Sequence, residues 1–169
     1  MGMRTIWVDA DGCPVVGESV RIGNKFGWKV VLICDVAHEM ERDGAKTIYV
    51  DQGADSADFA LVNRMHACDV IVTQDYGLAA MCLARGGRPI DPNGRWYTEE
   101  NIESLLLSRY LTKKARRAGG RVGGPGKRRA EQNKRFAESL ARLLQAGGEA
   151  KERNSACPPD ALPADQTGD

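Results

Sequence analysis

Thr5-Ile6-Trp7-Val8-Asp9-Ala10-Asp11-Gly12-Cys13-Pro14 changes character halfway along. Its first four residues, β-branched or aromatic, predict a short strand. The strand runs directly into two carboxylates and a glycine, and Pro14 suits the first turn of a following helix. Val15, Val16, Ser19, Val20, Ile22 and Phe26 then recur near helical spacing until Gly27 stops the pattern.

The same alternation repeats downstream. Trp28 to Cys34 is an apolar run of strand length, expected to be buried on both faces, and Thr47 to Val50 is a further strand. A second helix starts near Asp55 to Asp58 and carries Phe59, Leu61, Val62 and Met65; Val70 to Thr73 follows as the fourth strand. A third helix follows Asp75 and ends before Gly86-Gly87. Arg88-Pro89-Ile90 reads as an edge strand, because proline cannot donate to a central ladder. Thr98 suits the N-cap of a fourth helix, with Glu99 and Glu100 in its first turn and Ile102, Leu105 and Leu106 on its apolar side. Alternating strands and helices imply an α/β fold with a mostly parallel central sheet of about five strands and helices on both faces. Residues 1–112 form that domain. Residues 113–126 are expected to be a basic, glycine-rich loop, 127–146 a C-terminal helix packed on the domain through Phe136, Leu140, Leu143 and Leu144, and 147–169 a disordered tail.

Composition narrows the class. The chain has 169 residues, 42% hydrophobic and 28% charged, enough for one core. Five cysteines occur singly, without a C-x-x-C pair, and no run approaches the ~20 apolar residues of a membrane span. Met1 to Val8 lacks the apolar core of a signal peptide, so the expectation is a cytoplasmic protein with no membrane partner. The net charge of +1 conceals polarity: residues 1–108 carry −6, 109–135 carry +10 and 136–169 carry −3. A strongly cationic segment beside an acidic body implies an anionic partner such as nucleic acid.

Four carboxylates fall where strands end or helices begin: Asp9, Asp11, Asp58 and Asp75. In a parallel sheet these positions share one edge. Asp58 and Asp75 could each cap a helix and Asp11 could hold a turn, whereas Asp9, a charge ending an apolar strand, has no such task, and clustered carboxylates repel one another unless a cation lies between them. An all-oxygen set selects Mg²⁺ or Mn²⁺ over zinc. Asp51 and Asp69 are secondary candidates.

The stretch from Asp58 to Asp75 (DFALVNRMHACDVIVTQD) resembles the acidic helix and strand ending in Thr-x-Asp of the PIN-like nuclease superfamily. More narrowly VDADGCPV, GADSADFALV, TQDYGLA and the RAGGRxGGP loop resemble the YaiI/YqxD family over about residues 4–145. The resemblance implies a three-layer α/β/α PIN-like domain with Asp9, Asp58 and Asp75 as metal-binding acids and Asp11 as an added ligand. Gly77 stands where PIN nucleases commonly carry a further acid, a place Asp11 could take. The implied activity is metal-dependent hydrolysis of phosphodiester bonds in RNA, with Arg116, Arg117, Arg121, Lys127, Arg128 and Arg129 holding the backbone. The oligomeric state stays open.

Two other functions fit parts of the pattern. Asp9-Ala10-Asp11-Gly12 has the D-x-D-G form of a haloacid-dehalogenase-type phosphatase, with Asp9 as nucleophile and Thr73 as its second motif. That family also needs a later lysine, and none lies between Thr73 and Asp91. The other is a nucleic-acid-binding module without catalysis. Cys82 and Arg88 have the spacing of a tyrosine phosphatase loop, yet Cys82 falls inside a helix. Gly126-Lys127 lacks the hydroxyl residue of a phosphate loop. Cys13 is expected to be a buried structural thiol, His38 and His66 have no partners at ligand spacing, and Trp96 and Tyr97 suit packing better than base stacking.

Overall fold

The computed structural model describes residues 3–35, 39–53, 56–120 and 126–150. Asp55, His38 and Arg121, the centre of the expected glycine-rich loop and residues 151–169 lie outside them. Five strands form one all-parallel sheet: β1 (Thr5–Asp9), β2 (Lys29–Asp35), β3 (Lys46–Val50), β4 (Val70–Val72) and β5 (Arg88–Ile90), in the order β3-β2-β1-β4-β5. The helices are α1 (Val16–Lys25), α2 (Ser56–Arg64), α3 (Tyr76–Ala84), α4 (Glu99–Arg117) and α5 (Ala130–Ala150).

The strand alternation divides the core. Ile6 and Val8 of β1, with Val30 and Leu32 of β2, face α1 and α5, where Phe136, Leu140, Leu143 and Leu144 are buried. Trp7, Val31, Ile33 and Ile71 face the opposite way, onto Leu61 and Met65 of the α2 segment and Leu78 and Cys82 of α3. The result is a three-layer α/β/α fold, since side chains two apart on a strand share a face. Pro89 sits on the edge strand, where its missing N–H costs no central hydrogen bond.

The element ends differ from expectation in three places. Pro14 precedes α1 by two residues rather than occupying its first turn. Helix α4 continues to Arg117, so Lys113, Lys114, Arg116 and Arg117 ride on a helix instead of a loop; a Thr98–Asn101 capping box starts it and basic residues in its last turn complement its dipole. Helix α5 passes through Gly147-Gly148 to Ala150, because two glycines lower helix propensity by only about 1 kcal/mol each.

Candidate functional site

Strand β1 is the switch point of the sheet: the chain leaves it toward β2 on one side, and β4 flanks it on the other. Crevices at such points open at the carboxyl ends of the strands. Asp9 ends β1 at that edge, and Thr73, directly after β4, donates its hydroxyl to the Asp9 carboxylate at 3.0 Å. Thr73 is buried; its Oγ1 also accepts from the Asp75 amide at 3.0 Å, and its carbonyl accepts the Tyr97 hydroxyl at 3.1 Å. One threonine thus fixes two of the expected acids relative to each other.

Gly12, at φ +70°, supplies the left-handed turn that lets the chain leave β1. Within this turn Asp11 accepts from the Asp35 amide at 2.9 Å, and the Gly12 carbonyl accepts from the Gln74 side chain at 3.0 Å. Asp75 caps α3, accepting from Gly77 at 2.8 Å and Leu78 at 3.3 Å. It also pairs with Arg109 of α4 at 3.4 Å.

Burial, with the charges of Asp11 and Asp75 adding to it, pushes the Asp9 carboxyl up to about 6 against the lowering effect of Thr73. Three of the four expected acids therefore share one field. Asp58, in the first turn of α2, acts with Asp9 on the Cys82 thiol, which burial above all pushes up to about 12. Cys13 is raised to about 11, again chiefly by burial. Neither thiol is a nucleophile near neutrality.

The donor chemistry suits a hard divalent cation, yet among the described residues no group of three or more His, Cys, Asp or Glu is arranged to hold a metal ion. Mg²⁺ commonly takes only one or two carboxylates and keeps water as its other ligands. Asp9 with one neighbour fits that arrangement; a ready-made cage of four acids does not.

Other expected residues separate from this edge. Asp69 is buried at the opposite end of the sheet, accepting from the Thr5 amide, the Trp7 indole and the His66 amide at 3.1, 2.9 and 2.9 Å. It staples β1 to the turn before β4. Arg128 is tied to Asn133, Asn93 and the Pro92 carbonyl, anchoring the start of α5. Lys127, Arg129 and Arg135 line a hollow of about 750 Å³ beside it. Arg116 and Arg117 are exposed on α4. Trp96 and Tyr97 are buried, the indole donating to Ser139 at 2.9 Å, so both serve packing. Two residues were missed. Asp35 ends β2 as Asp9 ends β1, and a carboxylate closing an apolar strand was the available signal; Arg109 reaches the site only through the tertiary placement of α4, which leaves no local trace.

No helix among the described residues is long and apolar enough to cross a membrane. No solved structure matches the chain. The sequence profile of the family described as "Uncharacterized BCR, YaiI/YqxD family" matches residues 7–146. A UPF0178 protein of Exiguobacterium sibiricum is 53% identical over 139 residues, covering 82% of this chain and 95% of its own. UPF0178 proteins of Clostridium acetobutylicum and Ruminiclostridium cellulolyticum are 42% and 40% identical, over 84% and 85% of this chain and 97% and 94% of theirs. With the match spanning nearly all of the described fold, the chain belongs to the YaiI/YqxD family.

Proposed function

We propose that the chain is a PIN-like nuclease that hydrolyses phosphodiester bonds in RNA with Mg²⁺ or Mn²⁺ at the carboxyl edge of β1 and β4. The observation that carries this reading is the raised Asp9 carboxyl, at a sheet switch point, under the charges of Asp11 and Asp75. A cation drawn to this field would be held by Asp9 with Asp11 or Asp75, and Asp58 would complete the acidic rim. When bound, such an ion would supply Lewis acidity, making water a better nucleophile at neutral pH and offsetting charge on the leaving oxygen. Thr73 holds one oxygen of the Asp9 carboxylate through its hydroxyl. Lys127, Arg129, Arg116 and Arg117 would hold the polyanionic backbone without reading its sequence.

A non-catalytic nucleic-acid-binding module is the second reading, supported by the engagement of Asp75 with its cap and with Arg109. The test is Mn²⁺ titration calorimetry beside cleavage of labelled RNA, on wild type, Asp9→Asn and Asp75→Asn. Asparagine also caps helices well, so Asp75→Asn keeps α3 intact. The nuclease reading expects metal binding and cleavage in the wild type, both lost in Asp9→Asn. RNA binding with neither metal uptake nor cleavage assigns the binding module. Release of phosphate from small esters, with a phosphorylated Asp9, would instead assign the phosphatase chemistry of the D-x-D-G loop.

A further inference from the structure

Helix α4 is about 28 Å long at 1.5 Å per residue, yet Ile102 is its only buried side chain. Beyond that anchor it presents large apolar groups to solvent: Leu107 is 57% exposed, Tyr110 61% and Leu111 53%. Leu107 and Leu111, with Ser104, Ser108, Thr112 and Ala115, line a shallow hollow of about 450 Å³. Contiguous apolar surface of this kind marks an interaction site.

The pattern along the exposed side says what fits it. Leu107, with Tyr110 and Leu111 beside it, is the apolar centre of the exposed side, with Glu100 and Glu103 one to two turns before it and Lys114 two turns after it. All are exposed; Glu100, Leu107, Leu111 and Lys114 lie on the side away from Ile102, and Glu103 and Tyr110 on its flank. Charge is polarised along the helix: Glu99, Glu100 and Glu103 occupy the first two turns, and Lys113, Lys114, Arg116 and Arg117 the last two. A polyanion lying along this strip would meet Glu100 and Glu103, whereas Arg116 and Arg117, given above to the RNA backbone, lie off it. An identical helix running the other way meets opposite charge at both ends, whereas a parallel one meets like charge at both.

We propose that α4 is a self-association surface on which two copies of this chain pair antiparallel about a two-fold axis at Leu107. Leu107 packs across the axis on its counterpart, Tyr110 and Leu111 fill the spaces beside Ser104, and Glu100 faces Lys114 of the second copy. A two-fold contact of this kind is self-complementary and closes at a dimer. It rests on exposed side chains only, and it does not depend on the proposed nuclease activity.

Sedimentation of the full chain tests it, with circular dichroism and melting temperature confirming that each variant is folded. The wild type is expected as a dimer at about 100 µM. Leu107→Glu places like charges across the axis and should weaken the dimer by about tenfold or more. Glu100→Lys and Lys114→Glu should each weaken it by roughly two- to fivefold, and the double reversal Glu100→Lys with Lys114→Glu should restore it. A wild type that is monomeric at that concentration overturns the proposal, as does a dimer unaffected by Leu107→Glu. Single reversals that do not weaken the dimer, or a double reversal that does not restore it, overturn the antiparallel arrangement. Association only on adding RNA also overturns it, and would make α4 a nucleic-acid surface.

Discussion

A carboxylate that ends an apolar strand beside two others resists ionisation, and Asp9 shows the effect in its raised value of about 6. Folding raises this pKa above its usual 3.8, so the folded state prefers protonated Asp9. The stability this contributes is complete below about pH 4 and is lost as pH rises through about 6. At pH 7.5, Asp9→Asn should therefore raise the melting temperature, by at most the equivalent of about 3 kcal/mol, and the gain should vanish by pH 4. Thermal denaturation across that range checks both the sign and the window. Asp69 is a carboxylate buried for structure. Asp69→Ala leaves the Trp7 indole and two backbone amides without their acceptor and should cost about 3 kcal/mol or more, seen as a lower denaturation midpoint.

At the scale of elements, α5 docks through its four buried apolar residues and through Gly94. Gly94 has φ +89°, and a Cβ there would lie 2.7 Å from the Arg135 carbonyl and 3.1 Å from the Phe136 Cα. Gly94→Ala should lower stability by about 2 kcal/mol or more, read as a drop of roughly 5 °C in melting temperature. An unchanged melting temperature would show that α5 does not sit against this turn. The existence of each strand and helix was legible in the sequence, from apolar stripes such as Phe136-Leu140-Leu143-Leu144 and from short apolar runs bounded by turn residues, although their ends were not always marked. What escaped were features set by tertiary context. Arg117 stays helical on the strength of favourable last-turn charge, and Gly147-Gly148 costs too little to end α5. The acids at the strand ends could be placed on one edge from topology alone. The same topology puts Asp69, directly before β4, at the other edge, whereas the meeting of Arg109 with Asp75 depended on the packing of whole elements.

For the whole molecule, the cationic segment divides into structural and free charge. Arg128→Ala should destabilise the fold by about 1–3 kcal/mol, because its guanidinium joins Asn93, Pro92 and Asn133. Arg129→Ala, at an exposed side chain, should leave the melting temperature unchanged and reduce the salt slope of RNA binding by about 0.7. A binding slope indifferent to Arg129 would place the RNA elsewhere on the surface.

The most direct test of the acidic edge as a cation site is the carboxyl carbon resonance of Asp9, followed against pH by nuclear magnetic resonance with and without Mg²⁺. Without metal the titration should centre near 6, and saturating Mg²⁺ should move it down by about two units or more. A midpoint near 4 that ignores Mg²⁺ would contradict both the shared field and the metal site built on it.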